Sequence, residues 1–97
     1  MTARVLALDV GSRRLGVAVS DPTGTVATPL ATLPRRGVEA DASAIARLAA
    51  EQEAGTVVAG LPVSLSGREV VDQVAASVFL QAWLDARRRV DRSGSER

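Results

Sequence analysis

An α/β layer fold with the element order β-β-β-α-β-α is predicted by three observations on this 97-residue sequence. Three short, apolar, β-leaning runs fill residues 5–33. Apolar residues take up helical spacing after Pro34. A fourth apolar run of strand length, Thr56 to Leu61, then precedes a second and longer helical pattern. Three consecutive strands joined by tight turns make a meander, and the helix after them carries the chain across to a parallel fourth strand. The result is a mixed sheet with helices packed on it. A chain this short holds one domain at most, placed at residues 1–90, with 91–97 as a flexible C-terminal tail.

Each element has a local reason. Val5 to Val10 is almost continuously apolar with Asp9 near its end, the pattern of a central strand covered on both faces. Gly11-Ser12-Arg13-Arg14 reads as a turn, and Leu15 to Ser20 as the antiparallel return. Asp21-Pro22-Thr23-Gly24 sets Asp, Pro and Gly where a type I turn favours them. Thr25 to Leu33 is the third strand, which Pro29 assigns to an edge or a bulge. Beyond Pro34-Arg35-Arg36-Gly37, the residues Val38, Ala42, Ile45, Leu48 and Ala49 line one helical face, and Gly55 is the candidate C-cap. Thr56 to Leu61 reads as another short buried strand. Pro62 to Gly67 is a loop, and Ser66 with Glu69 fits a capping box that opens the last helix. That helix carries Val70, Val71, Val74, Ala75, Val78, Phe79, Ala82 and Trp83, with Phe79 and Trp83 core residues by their spacing. Arg87, Arg88 and Arg89 fall near its end, where cations complement the helix dipole; nucleic-acid contact is the competing reading.

Composition removes whole classes of chemistry. The chain has no Cys and no His, so thiolate nucleophiles, Cys-ligated zinc, Ser-His-Asp triads and imidazole bases are excluded. Tyr is absent and there is one Phe and one Trp, a poor supply of platforms for stacking bases. Net charge is +1, so no bulk field draws in nucleic acid; all 12 basic residues are Arg, whose planar fork suits phosphate or carboxylate. Catalysis by such a chain falls to carboxylates, hydroxyls, Arg and a recruited ion, with Mg²⁺ or Mn²⁺ preferred because both favour oxygen ligands. No stretch approaches the ~20 apolar residues of a membrane span, and the N-terminus lacks a signal-peptide pattern, so a cytoplasmic protein without membrane contact is expected.

Three segments carry a family resemblance. LDVGSRRLGVAVSD (Leu8 to Asp21) is dense in matched positions; VVAGLPVSLSG (Val57 to Gly67) and VVDQVAASVFLQAWLD (Val70 to Asp85) agree with it. The sequence resembles the RNase H-like YqgF family, described as pre-16S rRNA nucleases and as Holliday-junction-resolvase-like. The resemblance implies a truncated RNase H-like three-layer fold. In that family a helix, a strand with a W-D-E-R-like motif and a flexible loop stand between the second and third segments. Here Ser66-Gly67-Arg68-Glu69 runs straight into Val70-Val71-Asp72, with the join near Glu69.

The resemblance makes Asp9 and Asp72 the catalytic carboxylates, ligands of Mg²⁺ or Mn²⁺ that activate water for phosphodiester cleavage. Elementary physics agrees for Asp9, because a carboxylate among apolar neighbours is costly to desolvate without a cation or donors. Its plain alternative is a strand-end Asp serving the next turn; for Asp72 it is a surface Asp on a helix. Gly11, Ser12, Arg13 and Arg14 form the candidate phosphate contact, through backbone N–H groups, a hydroxyl and guanidinium forks, against a plain hairpin turn. Glu69 is a capping residue first and a substitute third ligand second. Asp21 is explained by its turn.

Three functions follow as expectations. The first is a nuclease of the pre-16S rRNA 5′-end processing type, acting in ribosome biogenesis, with branched DNA as the other substrate. The second is an inactive deletion remnant that binds nucleic acid weakly, since the missing strand takes a carboxylate with it and exposes a sheet edge. The third, a nucleotide-binding phosphotransferase, is disfavoured by the short length and the lack of a second lobe.

Overall fold

The apolar run at the start of the chain becomes the centre of a sheet. The computed structural model describes residues 3–60 and 71–95, the side chains of 91–95 excepted. Its elements are β1 (Arg4–Val10), β2 (Arg14–Ser20), β3 (Ala27–Pro34), α1 (Val38–Glu51), β4 (Ala54–Gly60) and α2 (Gln73–Ser95). The sheet order is β3-β2-β1-β4, with β1 antiparallel to β2, β2 antiparallel to β3, and β1 parallel to β4. The expected α/β architecture of a shortened RNase H-like fold is thus present, meander first and crossover second.

Alternation along β1 and β2 splits the core into two layers. Val5, Ala7 and Ala18 face α2 and pack with Ala76, Leu80 and Leu84. Leu6, Leu8, Val17 and Val19 face the other way, against Ile45, Leu48 and Ala49 of α1. Phe79 and Trp83 join the α2 layer as half-buried residues, and the Arg87 guanidinium stacks over the Trp83 ring at 5.3 Å. Pro29 lies in edge strand β3 at a register shift opposite Val17 and Ala18, so the edge and bulge readings both hold. The Asp21 turn closes with the Gly24 N–H donating to the Asp21 carbonyl at 3.0 Å, and Gly24 takes a φ of 71°.

Five expectations change. The inward face of α2 is set by Ala76, Leu80 and Leu84, whereas Val74 and Val78 are 56% and 67% exposed, Ala82 is exposed, and Val71 lies before the helix. Of the Thr56–Leu61 run, the described residues 56–60 are not buried: β4 is an edge strand among the described residues, and Val57 is 45% exposed. Its apolar composition fits a centre, but no described strand lies beyond it. Helix α1 ends at Glu51, and Glu53, with φ 56°, takes the left-handed position instead of Gly55, which is already inside β4. Val38 is 78% exposed, so α1 packs through the end that holds Ile45, Leu48 and Ala49. Helix α2 continues to Ser95, which places Arg87–Arg89 inside it rather than at its last turn. The Pro62–Gly67 loop and the Ser66–Glu69 capping box lie outside the described residues. Among the described residues, no helix is long and apolar enough to cross a membrane.

Candidate active site

Asp9 sits where three strands meet. It is the penultimate residue of β1, 6% exposed, with Gly16 of β2 as its antiparallel partner and Gly60 of β4 as its parallel one. Paired residues share a face, so Asp9 projects on the α2 side, in line with Val5 and Ala7. A glycine stands on either side of it, and both glycines are occupied from above. A Cβ on Gly16 would lie 2.1 Å from the Asp72 carbonyl oxygen and 3.1 Å from the Asp72 Cα. A Cβ on Gly60 would lie 3.1 Å from the Phe79 ring.

The first of these contacts brings the backbone of Asp72 onto the strand partner of Asp9. The Asp72 backbone rests directly on Gly16, one strand spacing (~4.8 Å) from Asp9. The Gln73 N–H donates to Thr32 Oγ1 at 3.0 Å, which pins the same helix start to β3. Asp72 is the N-cap of α2: its Oδ1 accepts the Ala75 N–H at 2.8 Å, and its carbonyl accepts the Ala76 N–H at 3.0 Å. The helix therefore starts at Gln73 with an Asp cap, a signal the sequence carried in Asp72-Gln73-Val74-Ala75.

The Gly11–Arg14 turn adjoins this pair. Gly11, Ser12, Arg13 and Arg14 line an open depression of about 190 Å³ together with Val71, the residue before Asp72. Ser12, Arg13 and Arg14 are exposed, and among the described residues neither arginine forms an ion pair. Gly11 is different. Its N–H donates to the Arg14 carbonyl at 2.9 Å, so it closes the hairpin and has no proton to offer a phosphate.

Two residues that sequence reasoning passed over hold the turn in place. The Arg35 N–H donates to the Arg13 carbonyl at 2.9 Å, and its Nη1 donates to the Gly11 carbonyl at 2.6 Å. Asp41 fixes that guanidinium by accepting from Arg35 Nε at 2.8 Å, and accepts the Arg36 N–H at 2.9 Å. The Arg35 hydrogen bond, first, and the Arg36 N–H hold the Asp41 carboxyl below the usual carboxylate range. The available signal was an Arg just after a strand and an Asp in the first turn of the next helix. Asp21 keeps its role in its turn: its carboxylate accepts from the Thr23 hydroxyl and from the Val26 and Thr25 N–H groups, which drive its pKa far down.

A divalent ion would find Asp9 and, at Asp72, the Oδ2 oxygen that does not cap the helix. Two carboxylates suit a hard cation that keeps waters and shares substrate phosphate oxygens, the habit of Mg²⁺. Among the described residues no group of three or more carboxylates gathers to make a fuller site. Glu69, the other candidate, lies outside the described residues.

Comparison with known proteins shows the family of the chain. The family model described as RuvX, Holliday junction resolvase, matches residues 3–70. A protein of Chloroflexus aggregans named "Putative pre-16S rRNA nuclease" is 33% identical over 134 aligned positions, covering 87% of this chain and 94% of that protein. One of Nocardia farcinica with the same name is 34% identical over 150 positions, covering 96% of this chain and 83% of that one. One of Clavibacter sepedonicus, again so named, is 44% identical over 82 residues, covering 84% of this chain and 51% of its own length. Alignments of 134 and 150 positions exceed the 97 residues of this chain. Those relatives therefore carry, inside the matched region, residues with no counterpart here. Against the shorter alignments the chain spans about half of the relative.

Proposed function

The chain belongs to the RuvX family of Holliday junction resolvases, and from that premise we propose that it is a nuclease of the pre-16S rRNA processing type. The observation that supports the reading is the seat of the Asp72 backbone on Gly16, the strand partner of Asp9, with Val71 bordering the Gly11–Arg14 turn.

In this reading Arg13 and Arg14 receive the phosphodiester through their guanidinium forks, with the Ser12 hydroxyl as a further donor. Arg35, set by Asp41, keeps the turn at a fixed height above the sheet. Asp9 and Asp72 would hold Mg²⁺ or Mn²⁺. When bound, such an ion supplies water activation and offsets the charge that builds on the phosphorus-bound oxygens. Asp9 is held in the sheet with little exposure to water. Asp72, as an N-cap, has one oxygen committed to the helix and is oriented by it.

The test is cleavage of a labelled precursor-type RNA stem with single-stranded flanks, with a four-way DNA junction in parallel, each with Mn²⁺ or Mg²⁺. Asp9→Asn is expected to lose at least about 100-fold, the scale of removing a group that offsets developing charge. Equal rates in wild type and Asp9→Asn would sink the nuclease reading. Preference for the junction would redirect it to DNA.

A second reading is favoured by one observation: the described residues gather no third carboxylate. It is a binding remnant, which retains the Arg13–Arg14 phosphate contact and cleaves nothing. Binding of RNA without cleavage by the wild-type chain, at saturating Mn²⁺, would establish it over the first.

A further inference from the structure

The two edges of the sheet are built differently. Edge strand β3 carries Pro29 and Pro34 and a register shift, devices that blunt pairing with another chain. Edge strand β4, Ala-Gly-Thr-Val-Val-Ala-Gly over Ala54–Gly60, has no proline and no charge. Neither helix seals it: Val57 is 45% exposed, and Gly55, Thr56 and Ala59 are exposed too. The comparisons add that relatives carry internal residues this chain lacks.

We propose that the outer edge of β4 pairs with β4 of a second copy of this chain, antiparallel and about a two-fold axis at Val57. The sequence is self-complementary in that register. Val57 faces Val57, Thr56 faces Val58, Gly55 faces Ala59, and Ala54 faces Gly60. β-branched residues therefore meet β-branched ones, small meet small, and no like charges are opposed. Among the described residues nothing pairs with this edge, so its outward N–H and C=O groups gain partners, and the two four-stranded sheets become one of eight strands. A two-fold contact of identical patches closes on itself, so the product is a dimer and not a filament. A different protein's strand has no such match written into it; a copy does.

The chain contains no cysteine, which makes the test clean. Opposed antiparallel residues have Cα atoms ~4.5–5.5 Å apart, within the ~4.4–6.8 Å that a disulfide spans. Val57→Cys is therefore expected to oxidise to a covalent dimer, while Val26→Cys, at a position 54% exposed just before the opposite edge strand β3, stays monomeric. The wild-type chain at about 100 µM is expected to show twice its 10.1 kDa mass by light scattering. Val57→Lys is expected to halve that mass, and an equimolar mixture of Val57→Lys with Val57→Glu to restore it. A monomeric wild type, or equal cross-linking at positions 57 and 26, would overturn the proposal. If Val57→Lys does not melt cooperatively, the cysteine pair alone decides.

Discussion

At the scale of single residues, Gly16 and Asp72 carry the most weight, because each does two things. Gly16 is the partner of Asp9 and the floor under the α2 start; with the Asp72 carbonyl 2.1 Å from where a Cβ would be, only hydrogen fits. Gly16→Ala must push the helix start off the sheet, at an expected cost of ~1–3 kcal/mol in urea unfolding. Gly60→Ala meets only the Phe79 ring at 3.1 Å, the side of a movable chain, and should cost less. Equal effects would mean that the helix start is not seated as described. Asp72 is both cap and candidate ligand, and two substitutions separate the roles. Asn caps as well as Asp does, whereas Ala loses ~0.5–2 kcal/mol. Asp72→Asn should therefore keep the wild-type melting midpoint and lose cleavage, while Asp72→Ala loses both. An active Asp72→Asn would leave Asp72 as a cap alone.

At the scale of elements, the connection from β3 to α1 is a clamp on the phosphate-contact turn. No side chain caps α1 at Gly37; Asp41, one turn in, reaches back to Arg35 and the Arg36 N–H. Because the folded pKa of Asp41 is lowered, its contribution is fully present above the unfolded Asp value of ~3.9 and fades as pH falls through the folded value. Asp41→Asn should thus melt below wild type at pH 7, with the gap closing as pH drops below about 4; a gap independent of pH would contradict the clamp. The same elements show what a sequence can and cannot convey. The β1–β2 hairpin, the Asp21 turn and the edge position of β3 were legible because their causes lie within a few residues. The Arg35–Gly11 bond and the Asp72–Gly16 seat were not, since they join residues far apart through the fold. Strand β4 was misread for the opposite reason: Val57 and Val58 have the composition of a covered strand, Val58 does pack on the α2 layer, and what would cover Val57 is not in the described chain.

At the scale of the whole molecule, a net charge of +1 leaves little general attraction for nucleic acid, so affinity must come from a few placed arginines. Each phosphate neutralised contributes ~0.7–0.9 to the slope of log affinity against log salt. Arg13 and Arg14 border the open depression beside Val71 and are exposed without an ion pair among the described residues. Arg88, by contrast, is paired with Asp85, and Arg87 lies over Trp83, on the part of α2 remote from its cap. Replacing Arg13 and Arg14 together by Ala should flatten the salt slope by ~1.4–1.8 for a labelled RNA and leave the melting curve in place. The Arg87→Ala, Arg88→Ala pair should leave the slope unchanged. The reverse pattern would move the nucleic-acid face from the Asp9 end of the sheet to the opposite end, and the turn would then be a hairpin and nothing more.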